Sequence, residues 1–447
     1  MKFSIDLSRP LGAWLVRLYS LSLAVLLVSC GGSNITPIWS GTKQMGVQGA
    51  DTFGVSVATD AGGNVYIAGS TNGGLDGNTI SQFGDFFLTK YNSSGVKQFT
   101  QQLGVQGADT FGSSVATDTS GNVYVAGTTK GGLDGNTLAG KDDFFLTKYN
   151  SSGVKQFTRQ LGVPDATTYG NSVATDTSGN VYVTGHTMAG LDGNTLTGIS
   201  DLFLTKYNSI GVKQYTRQLG VRSALTYASS VATDANGNVY VAGFTWGGLD
   251  GNILTGVIDF FLTKYNNSGD RQYTRQLGAQ GEATFGTSVA TDTSGNVYVA
   301  GYTLGDLDGN TLTGGGDFFL TKYNNSGDRQ YTRQLGAQGA VTYASSVATD
   351  ATGNVYVAGY ISGGELDGNT LTGTSDFFLT KFNSSGVKQY IRQHGVQGAP
   401  TSVNSVTIDA TGNVYVAGDT GGGLDGNTLT GTSDFFLTKF NSSGVKQ

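Results

Sequence analysis

Cysteine is almost missing from this chain of 447 residues: there is one, Cys30, so no disulfide framework can form. Histidine is nearly as scarce, with His186 and His394 only. With two imidazoles and one thiol, no His/Cys metal cluster appears. Proline occurs 4 times against 71 glycines, which fits neither a collagen nor a disordered composition. Basic residues do not predominate. The 26 Lys and Arg against 32 Asp and Glu leave a formal charge of −6. Such a balance argues against nucleic acid as a partner and against electrostatic adhesion to an anionic membrane. No segment combines a helical apolar period with capping residues. No nucleophile motif or phosphate loop appears either. What remains is a pattern of short strands separated by glycine turns.

The first thirty residues stand apart. Lys2, Arg9 and Arg17 precede the apolar run "LYSLSLAVLLV", which is too short for a comfortable membrane span. "LVSC", Leu27 to Cys30, resembles a bacterial lipobox. The resemblance implies a lipoprotein signal peptide over 1–29, cleavage before Cys30 and acylation of Cys30, palmitate included. Residues 30–34 then form a lipidated tether, and 35–447 the folded domain. Losing residues 1–29 removes three bases and one acid (Asp6), taking the formal charge from −6 to −8. Membrane attachment is therefore expected through acyl chains, with the protein lipid-anchored in the cell envelope. Gly31 lacks the Asp of inner-membrane retention signals, which favours the outer membrane or cell surface.

The folded part is one unit repeated seven times. "GNVY" recurs with its Asn at 64, 122, 180, 238, 296, 354 and 413; the spacing is 58 residues, lengthened once to 59 by Glu365. Four strands are expected in each copy: "SSVATD", "NVYVAG", "DFFLTKYN" and "KQYTRQLG". The second and third are apolar at successive positions, so both their faces must be covered. The fourth mixes polar and apolar positions and reads as a half-exposed edge. Sheets buried on both faces with one wet edge, repeated radially, describe a β-propeller.

The copies also imply how the ring closes. The fourth strand follows copies one to six, and after copy seven the sequence reaches "GVKQ" at Gln447. "GTKQMG", Gly41 to Gly46, aligns with "YTRQLG" and precedes copy one. The expectation is an all-β, seven-bladed propeller with four antiparallel strands per blade, its last blade completed by the N-terminal strand. This leaves no open sheet edge for aggregation. The unit "VATDTSGNVYVAG…DFFLTKYNSSG" resembles the bacterial beta-propeller repeat family SBBP. That resemblance implies the fold and says little of activity.

"LDGN" invites a functional reading because it returns in every copy. Calcium at these turns is the sharp alternative, but each turn offers one Asp and one Asn, short of the six to eight oxygens of a calcium loop. The expected role is an Asx-turn: Asp250 bonds its own backbone, Gly251 takes a positive φ, and Leu249 plugs the blade. "TDTSGN" is expected to turn a hairpin in the same way. No cofactor and no catalytic residue is expected, although acidic residues at the channel mouth leave an envelope lyase or hydrolase as the rival reading. A surface protein without a discrete ligand is the third.

Function is expected where the copies differ. The residue after the second-strand Gly, and the one two further on, vary freely. They place His186, Met188, Phe244, Trp246, Tyr302, Leu304 and Tyr360 in neighbouring blades on the face of the long connections. An aromatic arc there suits a protein, peptide or glycan ligand. The protein is expected to act as a monomeric binding scaffold.

Overall fold

The computed structural model describes residues 39–447, which form one compact unit. The expected signal peptide, the tether and Cys30 lie outside the described residues. Among those described, no helix is long and apolar enough to cross a membrane.

Seven four-stranded antiparallel sheets make up the unit. Blade four is representative. Strand A spans Thr226–Thr233, strand B Val239–Thr245, strand C Asp259–Tyr265 and strand D Arg271–Leu277. Strand A begins three residues before the expected "SSVATD" and ends before its Asp234. The reason is register: Thr226 and Tyr227 pair with Thr245 and Phe244, so the stretch read as a connection belongs to the sheet. A β-bulge at Ser229, between Ala228 and Ser230, bends this innermost strand.

Strands B and C are buried on both faces, as their unbroken apolar runs require. Each hydrophobic core therefore lies between blades. Tyr240, Ala242, Phe260 and Leu262 of blade four pack against Val297, Val299, Leu307 and Phe319 of blade five. Phe260 and Phe319 stack with centroids 4.9 Å apart, and the same pairing recurs between other blades.

Strand A of every blade touches strand A of the next, and Thr401–Ile408 of blade seven meets Thr52–Thr59 of blade one. At this last seam Val57 N–H donates to Ser405 Oγ at 3.1 Å. The ring is closed. Blade seven takes its strand D, Lys43–Met45, from the N-terminal side of the chain, paired with Asp434–Phe440. In the other blades a strand-D aromatic packs over the glycine of the next blade's strand C–D turn, as Tyr215 does on Gly269. Blade seven has Gly41 at that position, and Trp39 does the packing instead, against Gly95, Tyr91 and Tyr415. Outside the core, an arginine of strand D bonds the same turn of the next blade. Arg159, Arg217, Arg275, Arg333 and Arg392 donate Nε to Gly211, Gly269, Gly327, Gly386 and Gly444 carbonyls at 2.7–2.9 Å.

Candidate functional site

The repeated acids are occupied by the fold. Asp292 of "TDTSGN" accepts the Ser294 and Asn296 backbone N–H groups, the Asn296 amide and the Tyr298 hydroxyl, all at 2.8–2.9 Å. Asp259, which opens strand C, is fully buried. It accepts N–H bonds from Thr255 and Gly256 and the Gln276 amide at 2.8–2.9 Å. Gln276 also accepts the Leu249 N–H, so one glutamine ties the "LDGN" turn to strand C.

The "LDGN" turn differs from expectation in one respect. Asp250 does not bond its own backbone; its carboxylate pairs with Arg271 at the start of strand D. Asp250 itself takes φ 57° and Gly251 φ 81°, so two successive residues are left-handed. Asn252 closes the turn by donating to Leu249 O at 2.7 Å, and Leu249 is fully buried. Each of the seven "LDGN" carboxylates carries such a Lys or Arg partner. Among the described residues no group of three or more His, Cys, Asp or Glu is placed to hold a metal ion.

The variable positions lie together. The residue after the strand-B glycine pairs across the sheet with a strand-A aromatic: His186 with Tyr169, Phe244 with Tyr227, Tyr302 with Phe285, Tyr360 with Tyr343. The glycine is required here. A Cβ on Gly243 would lie 1.9 Å from the Tyr227 carbonyl oxygen. This close approach leaves no room for a side chain beside Tyr227 at that position.

Eight rings then run in unbroken succession across four blades. Tyr169 meets His186 at 4.9 Å, His186 meets Tyr227 at 4.1 Å, and Tyr227 meets Phe244 at 5.6 Å. Phe244 continues to Phe285 at 5.0 Å and Phe285 to Tyr302 at 4.7 Å. Tyr302 meets Tyr343 at 4.4 Å and Tyr343 meets Tyr360 at 5.0 Å. Trp246 joins from the side, 5.5 Å from Tyr227 and 5.4 Å from Phe244. All nine rings are half-buried. A depression of about 400 Å³ lies among Tyr302, Tyr343 and Tyr360. Thus His186, Phe244, Trp246, Tyr302 and Tyr360 come together. Met188 is exposed, and Leu304 lies against the loop at Gly316, so neither takes part in the ring contacts.

Half of the arc was not legible as such. Tyr169, Tyr227, Phe285 and Tyr343 stand in "TYG", "TYA" and "TFG", in what reads as a connection. Their signal is an aromatic at the same place in six of the seven copies, starting with Phe53 and Phe111.

The arc is uncharged at neutral pH. Burial pushes His186 down to about 4. Asn171 Nδ2 donates to Ala228 O at 2.8 Å, which fixes its amide, and lies 3.3 Å from His186 Nδ1. That contact suits a neutral imidazole carrying its proton on Nε2. Burial pushes Tyr302 up to about 12 and raises Tyr169, Tyr227 and Tyr360, so their hydroxyls stay protonated. The other histidine, His394, packs between Phe377 and Phe440 in strand D of blade six, away from this face.

Comparison with known proteins bears on the fold. The model of the beta-propeller repeat family SBBP matches residues 41–76, 98–134, 156–192, 214–250, 272–308, 330–367 and 389–425, more than half of the chain. "Regulatory protein FlaEY" of Caulobacter vibrioides is 28% identical over 293 residues, which are 57% of this chain and only 28% of that protein. Among solved structures, a polysaccharide lyase active on ulvan is similar at 13% identity and TM-score 0.47, covering 91% of this chain and 98% of its own. The WD40 propeller domain of Doa1 is similar at 10% identity and TM-score 0.45, covering 89% and 97%. With a repeat matched seven times, each match running from strand D of one blade into the "LDGN" turn of the next, the chain belongs to the SBBP beta-propeller repeat family.

Proposed function

We propose that this protein is a lipid-anchored binding scaffold of the bacterial cell envelope that holds an extended protein, peptide or glycan ligand on its long-loop face. The observation behind the reading is the unbroken arc from Tyr169 to Tyr360, with Trp246 beside it. Nine rings on one rigid face supply contact area at little entropic cost, and their hydroxyls supply hydrogen bonds. The arc spans four blades, which suits a ligand longer than one residue or one sugar. Structural duty repeated in every copy supports a binder over a lyase or hydrolase: Asp250, Asp259 and Asp292, like their copies, are already paired or hydrogen-bonded within the fold. Attachment to the outer membrane or cell surface rests on "LVSC" and acylation of Cys30.

The test is a glycan and envelope-protein binding screen, followed by Trp246→Ala with Tyr302→Ala. Loss of two central anchors should weaken the captured ligand by about 30-fold or more, the scale of binding hot spots. Because the arc is uncharged, affinity should change little with ionic strength. Retained affinity in the double variant sinks the aromatic-arc reading. Cys30→Ser should move the protein from the membrane to the soluble fraction; a variant still membrane-bound sinks the anchor.

A further inference from the structure

The aromatic belt is interrupted in one sector, and the interruption has a chemistry of its own. Around the mouth, strand-A and strand-B positions alternate. In blades seven, one and two they hold Ser402, Asp419, Phe53, Ser70 and Phe111, so two serines and an aspartate stand where the arc has rings. The missing ring volume leaves a depression of about 640 Å³, lined among others by Phe53, Phe111, Ser70, Asn72, Asn404 and Asp419. Phe53 and Phe111 are 39% and 40% exposed, which is unusual for side chains with so much apolar surface.

Asp419 is the only charged residue in the lining. It is half-buried, and burial raises its carboxyl while the Asn404 donor opposes the shift. Asn404 Nδ2 donates to Gly54 O at 3.0 Å and to Asp419 Oδ1 at 2.9 Å. The first bond fixes the amide, and the amide fixes the carboxylate. Among the described residues Oδ2 has no hydrogen-bond partner. Every "LDGN" acid has a cation, and every strand-C acid has three donors or an equivalent set; Asp419 has one amide. The fold already sets a cation against one of these rings: Lys130 Nζ lies 5.8 Å from the Phe111 centroid, its charge balanced by Asp109 at 2.9 Å.

We propose that this depression is a second binding site, for an organic ammonium group on a short apolar stem, with Asp419 as counter-ion and Phe53 and Phe111 as flanking faces. A carboxylate partly out of water favours a cation, and ring faces attract one without the hydration a small metal ion would need. The site is separate from the arc, so Trp246→Ala with Tyr302→Ala should leave it unchanged.

The experiment titrates the full chain, purified in detergent, with n-butylammonium and with 1-butanol as the neutral control, by ligand-observed NMR. Butylammonium should bind saturably, and more weakly at high salt. Asp419→Asn should cost about 10-fold or more, the scale of a charge-assisted bond. Phe53→Ala should cost about 2–30-fold, the scale of a cation–π contact. Ser70→Phe fills the gap as the rings of blades three to six do and should abolish binding with the carboxylate intact. It carries the test alone if Asp419→Asn melts early. A lysine tripeptide separates two sources of the group: tighter binding than butylammonium assigns a peptide side chain, weaker binding a free amine. Butanol binding as well as butylammonium, displacement by calcium at equal concentration, or full binding by Ser70→Phe overturns the proposal.

Discussion

Replacing Gln44 with alanine probes how the ring is held shut. The Gln44 amide donates to Asp434 Oδ2 at 3.0 Å and Gly422 O at 3.1 Å, and its carbonyl accepts the Leu424 N–H at 2.9 Å. Gln276 makes the same three bonds inside blade four, to Asp259, Gly247 O and Leu249 N–H. The chemistry is matched and the topology is not: Gln276 lies 17 residues from its carboxylate, Gln44 lies 390 from its own. Either Gln→Ala change strands a leucine N–H and takes one donor from a buried carboxylate that keeps two backbone donors. An orphaned donor costs about 1–3 kcal/mol and a bond to a charged group about 1.5–3 kcal/mol. With water reaching part of the gap, each variant should lose about 2–5 kcal/mol. Urea unfolding checks this as a lowered midpoint at constant slope.

The two variants should part company in the partly opened state. Strand D of blade four stays tied to strand C by its turn. Lys43–Met45 has no such tie to Asp434–Phe440, so its release bares a sheet edge able to pair with another chain. Gln44→Ala should form concentration-dependent dimers in mild urea on size exclusion, and Gln276→Ala should stay monomeric. A wild-type midpoint for Gln44→Ala, or equal dimerisation of the two, refutes the reasoning.

Three further outcomes are expected. Leu249→Ala should cost about 2–5 kcal/mol as a buried large-to-small change, whereas Asp250→Asn, which loses the exposed ion pair and keeps a side chain suited to the left-handed φ, should cost under about 1 kcal/mol. Calcium and chelator should give the same melting temperature; a difference of many degrees would make the "LDGN" turns metal sites, since saturating ligand adds roughly 2–4 kcal/mol. In blade seven, burial alone would raise Asp409, but donors from Asn413 and Thr411 outweigh it and hold the carboxyl below its ordinary value. A lowered value in the folded state gives stability above the ordinary carboxylate range that fades as pH falls through it. Asp409→Asn should therefore be less stable than wild type at neutral pH, with the gap closing in acid; a constant gap counts against the Asx-turn account.

The architecture was legible because repetition exposes what each position must do. Apolar runs at Val239–Val241 and Phe260–Leu262 required cover on both faces, and the likeness of "GTKQMG" to strand D located the closing strand. Trp39 was not legible, because it serves a position two residues further along, where alignment finds Gly41. The role of Asp250 was misread because its partner, Arg271, lies in another strand, and no local pattern reports that the Asp itself is left-handed. The A-strand aromatics were missed because their neighbours are polar or small. A bulge breaks the alternation of the strand at Ser229, and a two-residue period no longer reaches back to Tyr227.

Near-identical blades need not make a uniformly stiff hoop. The guanidinium bonds between strand D and the next blade occur at five seams, from Arg159 through Arg392. At the equivalent places Gln101 and Lys43 stand on the two sides of blade one, and Lys43 turns back to Ser40 O at 2.8 Å. Thermal breathing of a closed hoop concentrates at its most compliant joints, so blade one should flex most and its outer amides should exchange hydrogen first. The depression at Asp419 and Phe53 spans the same two seams at their inner ends. Whatever occupies it would brace the weak arc of the hoop, so that occupancy of a small pocket would be felt as rigidity of the whole circle.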